Sequence, residues 1–90
     1  MTHAFIGLMV LYRLTAADVV KVNHYREIRP GIQRDVGYPV SEGERTPMVI
    51  TQASHGAVNG QAFLDGNDSL WVVDAAEGDE PGQWEAITDG

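Results

Sequence analysis

The four residues Asp65-Gly66-Asn67-Asp68 carry two carboxylates and one amide, which are possible metal ligands. Calcium prefers carboxylate and amide oxygens, but an EF-hand loop needs them at alternating positions, with a Glu at position twelve. The spacing here is different, and the twelfth residue counted from Asp65 is Ala76. We therefore predict a structural turn with Gly66-Asn67 at the bend, in which Asp65 accepts backbone N–H groups, and no metal site.

The histidines His3, His24 and His55 lie on separate segments and form no H-x-x-x-H or H-E-x-x-H pattern. A zinc site would need them to converge with another ligand, which their spacing does not indicate. We predict that His3 and His55 are solvated and that the protein holds no metal.

Possible nucleophiles are the serines Ser41, Ser54 and Ser69. None lies in a G-x-S-x-G motif, and the chain has neither a G-x-G-x-x-G fingerprint nor a Walker loop. We therefore expect a non-enzymatic protein without a cofactor.

Basic and aromatic residues cluster only at Tyr25, Arg26, Arg29 and Arg34. They are either a solvated helix end and loop, or a contact for an anionic small molecule such as a nucleotide, or a contact for an acidic protein surface. Trp84 follows the acidic GDEPGQ segment and either caps the edge of the sheet or contacts another protomer. These five residues are the candidate interaction residues.

A helix start is encoded after the first apolar segment. A strand is predicted over about residues 4–13, followed by a helix to about Glu27 or Ile28. Thr15 is a suitable N-cap, because its hydroxyl can accept the N–H of Asp18, and the Asp18 carboxylate can reach back. Leu14 and Val19 have the spacing of a hydrophobic staple.

The rest of the chain predicts short strands separated by turn signals. Asn59-Gly60 is a strong hairpin signal, since both residues tolerate positive φ. Phe63 and Trp71 then become cross-strand neighbours, with Trp71 in the core. The expected strands are a short one near Tyr38–Val40 and three at residues 48–52, 61–65 and 69–74.

Ninety residues predict a single domain over residues 1–90, with an acidic, loop-like tail over about residues 75–90. About five short strands and one helix predict a mainly β, α+β fold. The architecture would be a small SH3-like barrel or a strongly bent antiparallel sheet.

The net charge is −7, and the charged residues are distributed unevenly along the chain. Residues 1–45 contain all six Lys and Arg against five acids, and residues 46–90 contain eight acids without Lys or Arg. An acidic half repels phosphates and anionic lipid, so we expect neither nucleic acid nor membrane as a partner. The asymmetry also favours a homo-oligomer, which would add to a modest core.

The longest apolar run, residues 4–12, is too short for a transmembrane helix, which needs roughly 20 residues. Basic residues do not precede this run as they would in a secretory signal. The chain also has no cysteine. We therefore expect a soluble, cytoplasmic protein.

Four segments resemble a family of small actinobacteriophage proteins, of mycobacteriophage type, that has no assigned activity. They are YRLTAADV, VGYPVSEGERTPMVI, NGQAFLDGNDSLWV and GDEPGQW, and together they span most of the chain. The most specific patterns are N-G-Q-x-x-L-D-G-N-D-x-x-W and G-D-E-P-G-x-W. Tyr38 and Glu44 depart from the residues common in that family, and the WEAITDG ending departs from its basic terminus.

The resemblance implies a phage origin and thus the cytoplasm of an infected bacterial host. We expect a non-enzymatic accessory protein that binds a host protein of the infected actinobacterium. Alternatives are an oligomeric nucleotide-binding protein in counter-defence and a minor virion component.

Overall fold

Five strands and one helix make up the part of the chain that the computed structural model describes, residues 3–27, 39–66 and 68–88. They are, in chain order, β1 (Met9–Arg13), α1 (Ala16–Glu27), β2 (Arg45–Ser54), β3 (Ala57–Phe63), β4 (Ser69–Ala76) and β5 (Trp84–Ala86).

The strands form one antiparallel sheet in the order β4-β3-β2-β1-β5. The sheet bends until its two edges approach each other at Trp84. There the end of β4 forms an isolated bridge between Glu77 and Trp84, and the Gly78 N–H donates to the Trp84 carbonyl at 2.9 Å. The bent sheet with one helix confirms the predicted α+β class. A single bridge does not close the sheet, so a barrel is not confirmed.

The core lies on the inner, concave side of the sheet. Alternate strand residues point inward, as the two-residue period of a strand requires. Helix α1 adds Val22 to the core, with Val19 packed against it in part. The largest fully buried side chains are those of Trp84, Leu14, Met48, Ile50, Val10 and Val58.

The junction between β1 and α1 confirms the predicted helix start. The Thr15 Oγ1 accepts the Asp18 N–H at 2.9 Å, and an Asp18 carboxylate oxygen accepts the Thr15 N–H at 2.9 Å. The Tyr12 hydroxyl donates to the same Asp18 oxygen at 2.6 Å. Burial and then this bond raise the pKa of Tyr12 well above its usual range. The cap is therefore tied to the first strand as well as to the helix.

The predicted hairpin turn at Asn59-Gly60 is wrong, because both residues lie inside β3. The turn between β2 and β3 is made by His55 and Gly56, which have φ of 53° and 85°. Asn59 lies at a bulge between β3 and β4, where its Oδ1 accepts the Asp74 N–H at 2.9 Å. The amide therefore supports an irregular strand pairing instead of a turn.

Gly60 is required in β3 by close packing of the neighbouring strand. A Cβ at this position would lie 2.6 Å from the Val49 carbonyl oxygen and 2.8 Å from the Met48 Cγ. The bulge thus accounts for Asn59, and the close approach of the β2 backbone accounts for Gly60. Both requirements select residue types that are also typical of turns.

Most strand boundaries also differ from the sequence predictions. Strand β2 covers Arg45–Ser54 instead of residues 48–52, and β3 covers Ala57–Phe63 instead of residues 61–65. The first strand begins at Met9 instead of residue 4, because a turn with Gly7 at φ 95° precedes it. The tail predicted to be a loop contains the end of β4 and all of β5. In the strand predicted near Tyr38–Val40, Pro39 and Val40 are not in strand conformation, and Tyr38 lies outside the described residues.

Within the described ranges, α1 falls short of the length and apolar character that crossing a membrane as a helix demands.

Replacing Gly60 with Ala should destabilise the protein by about 1–3 kcal/mol, because the new methyl group overlaps β2 backbone and side-chain atoms. Urea unfolding followed by circular dichroism measures this change. Gln61→Ala, one residue further along β3, is the matched control and should stay within about 0.5 kcal/mol of the parent. Equal stability of the Gly60 variant and the parent would contradict the packing described for β3.

Candidate functional site

The predicted basic and aromatic cluster is only partly visible. Tyr25 is exposed on the last turn of α1. Arg26 turns toward the sheet, where its Nε and a terminal nitrogen donate to the two carboxylate oxygens of Asp68 at 2.7 and 3.1 Å. Arg29 and Arg34 lie outside the described residues. Arg26 is therefore a link between the helix and the turn before β4.

Asp68, one of the two carboxylates of the DGND segment, forms this ion pair with Arg26. The Arg26 guanidinium holds the pKa of Asp68 below its usual value, and Asp68 raises the pKa of Arg26. Asp65 adds a weaker attraction to Arg26 from the exposed bend. Asn67 is not among the described residues, and within these no three His, Asp or Glu side chains are placed to hold a metal ion.

The two tryptophans lie in opposite environments, and only the position of Trp71 contradicts its prediction. Trp84, a candidate interaction residue, is 1% exposed and belongs to the core. Trp71, predicted in the core, is 49% exposed on the outer side of the sheet. Because Trp84 is buried between the ends of the sheet, it caps the sheet edge and presents no contact surface.

A row of residues, apolar except for Gln61, crosses the outer side of four strands. Met9 pairs with Val49, Val49 with Gln61, and Gln61 with Trp71. Directly opposed residues project on the same side of a sheet, and strands lie about 4.8 Å apart, so the row is roughly 14 Å long.

Two further side chains widen this row, since Phe63 follows Gln61 and Val73 follows Trp71 by two positions. Exposed fractions are 40% for Met9, 45% for Phe63 and 58% for Val73. We name the surface formed by the following residues the outer face: Met9, Val49, Gln61, Phe63, Trp71 and Val73.

A polar rim borders the outer face at one end. Arg13 pairs across the strands with Arg45, and both contact the Glu85 carboxylate, at 3.1 and 3.7 Å. Aromatic and aliphatic side chains that share one exposed surface and are bordered by charges are typical of protein interfaces. The inner core is already filled, so the fold itself does not require these exposed apolar residues.

The sequence contained a signal for the outer face. Leu70-Trp71-Val72-Val73 is a run of four apolar residues within a strand. Since strand side chains alternate, two of the four must point outward unless a second layer covers them. Leu70 and Val72 fill the core, so Trp71 and Val73 remain outside.

A groove of about 660 Å³ opens at the end of the sheet, beside the β2–β3 turn. His3 and His55, predicted on unrelated solvated segments, both line it, together with Glu77 and Trp84. The Trp84 indole N–H is buried and has no acceptor among the described residues. This nitrogen is shielded from the groove, so it does not define a ligand site.

Comparisons of the chain with protein-family models, with curated proteins and with solved structures gave no match. The function is therefore inferred from the sequence and the geometry of this chain itself.

Replacing Asp68 with Asn should lower the free energy of unfolding by about 1 kcal/mol at pH 7, because Arg26 loses the charged carboxylate with which it is paired. The folded-state pKa of Asp68 is lowered, so its stabilising effect is complete above the unfolded pKa of about 3.9 and disappears as pH falls through the folded value. The difference between parent and variant should therefore shrink below about pH 4.

Urea unfolding at several pH values measures this difference. Asp79→Asn, at an exposed acid, is the control and should change stability little at any pH. A destabilisation by Asp68→Asn that is equally large at low pH would contradict the ion-pair account.

Proposed function

We propose that the protein is a non-enzymatic protein-binding module and that its outer face is the contact surface. The observation that carries the proposal is the row from Met9 to Trp71, which is exposed at both ends and half-buried between them, together with the exposed Phe63 and Val73. Exposed aromatic residues supply binding free energy at low entropic cost, and Trp is enriched among residues that dominate protein interfaces.

The partner we propose is a host protein in the cytoplasm of an infected actinobacterium, with this chain acting as a phage accessory protein. The sequence resemblance supports the phage origin, and the charge of residues 46–90 supports a partner with basic residues around an apolar contact. The outer face replaces Tyr25–Arg34 as the proposed contact, because Arg26 is already engaged by Asp68.

The proposal predicts that Trp71→Ser combined with Phe63→Ser abolishes capture of a specific host protein while the fold persists. Both side chains are about half exposed, so truncation should change stability little relative to its effect on binding. The tagged parent and variant would be compared by affinity capture from an actinobacterial lysate, with quantitative mass spectrometry of the bound proteins.

Val20→Ser is the matched control, since Val20 is exposed on α1, away from the sheet. This control should capture the same protein as the parent does. Undiminished capture by the double variant would show that the partner binds elsewhere, and absence of any specific protein in the parent sample would argue against a host-protein partner.

A further inference from the structure

Strand β4 leaves one edge of the sheet open. One side of β4 pairs with β3. On the other side of β4, the described residues provide only the bridge at Glu77, beyond the end of the strand. The opposite edge is β5, which has three residues, and the Trp84 carbonyl there already accepts the Gly78 N–H. Among residues 3–27, 39–66 and 68–88, the sheet is thus protected at β5 and unprotected at β4.

The hydrogen-bond register shows which backbone groups of β4 point to the open side. The Leu64 N–H donates to the Asp68 carbonyl at 3.4 Å, so this opposed pair is hydrogen-bonded. Bonded and non-bonded pairs alternate along antiparallel strands, so Leu70 and Val72 are bonded to β3. The N–H and C=O groups of Ser69 and Trp71 therefore point away from β3, and Val73 continues this alternation.

The open segment lacks the features that usually prevent strand pairing. Residues Ser69–Val73 include neither a charge nor a proline. The following residue, Asp74, has φ of 57° and lies at the bulge opposite Asn59, which ends the regular edge. The pairing surface is therefore a neutral five-residue strand with a defined end.

We infer that a second copy of this chain pairs with that edge, β4 against β4 in antiparallel orientation, about a two-fold axis at Trp71. Ser69 then lies opposite Val73 of the partner subunit, and Trp71 opposite Trp71 of the partner subunit. Every outward N–H of Ser69, Trp71 and Val73 meets an outward C=O, because the segment is self-complementary about its centre.

Side chains and charges are compatible with this pairing. The two Trp71 side chains become cross-strand neighbours on the outer side, where aromatic pairs are favourable. At each end Asp68 lies opposite Asp74 of the partner subunit, and Arg26, which binds Asp68, offsets the repulsion there. No other charge falls within the paired segment.

Pairing along the edge leaves both outer faces exposed and joins them into one continuous surface. The inference rests on the backbone edge and does not depend on the proposed host partner. A variant blocked at the edge but intact on the outer face separates the two proposals.

Ser69→Pro tests the pairing. Ser69 is the first residue of β4 and its N–H is not bonded to β3, so proline is tolerated within the domain. Its ring and missing N–H block the partner strand in both copies, which should weaken dimerisation about tenfold or more. Ser69→Thr retains the N–H and is the matched control, expected to dimerise like the parent.

Sedimentation equilibrium measures the dissociation constant, and amide hydrogen exchange read by NMR tests the register in the parent protein. In samples that sediment as dimer, the Trp71 amide should exchange at least about tenfold more slowly than in dilute monomer. The Leu70 and Val72 amides should be protected in both states.

Parent protein that remains monomeric at millimolar concentration would overturn the inference. A dimer with a rapidly exchanging Trp71 amide, or one that Ser69→Pro does not weaken in a folded variant, would also overturn it, by showing that the copies meet elsewhere. Loss of the dimer with retained host capture by Ser69→Pro would support pairing and leave the outer-face proposal standing.

Discussion

Burial of the Trp84 side chain holds the two ends of the sheet together. Trp84 pairs with Tyr12 on β1 and bridges Glu77 at the end of β4, and it is among the largest fully buried residues. Removing an aromatic side chain of this kind from water covers on the order of 200 Å², worth roughly 5 kcal/mol. That exceeds the roughly 1–3 kcal/mol cost of leaving its indole N–H without an acceptor. The segment before Trp84 is fixed to β1 in addition, since Arg13 exchanges backbone bonds with Gly82 and Gln83.

The remaining architecture follows from this contact between the two ends of the sheet. Because the sheet bends around Trp84, the core fills its concave side and its convex side faces outward. Trp71, Phe63 and Met9 are then left exposed in one surface, and β4 is left as an edge without a described neighbour. Helix α1 is held against this frame at both ends, by Asp18 bonded to Tyr12 and by Arg26 bonded to Asp68. The proposed host protein would bind the apolar convex surface, and the second copy would pair with the β4 edge.

Local signals in the sequence predicted local structure well. The Thr15 and Asp18 cap, the helix to Glu27 and the α+β class all depend on residues a few positions apart, and all are confirmed. Asn59-Gly60 failed as a turn signal because a bulge and a close approach between strands select the same residue types. The pairing of Arg26 with Asp68 joins residues 42 positions apart, and no local pattern encodes it. The prediction that Trp71 lies in the core is wrong, because the side on which a residue points depends on strand register, and register depends on the whole sheet.

Iodide quenching of tryptophan fluorescence tests the central claim most directly, since it reports the opposite environments of Trp84 and Trp71. In the parent protein, two emission components are expected, one quenched by iodide and one shielded. In Trp71→Phe, the quenched component should vanish, and the remaining Trp84 emission should be blue-shifted and insensitive to iodide until the protein is unfolded. Emission from folded Trp71→Phe that is red-shifted and readily quenched would place Trp84 at the surface. It would contradict the bend around buried Trp84 from which the outer face and the open edge follow.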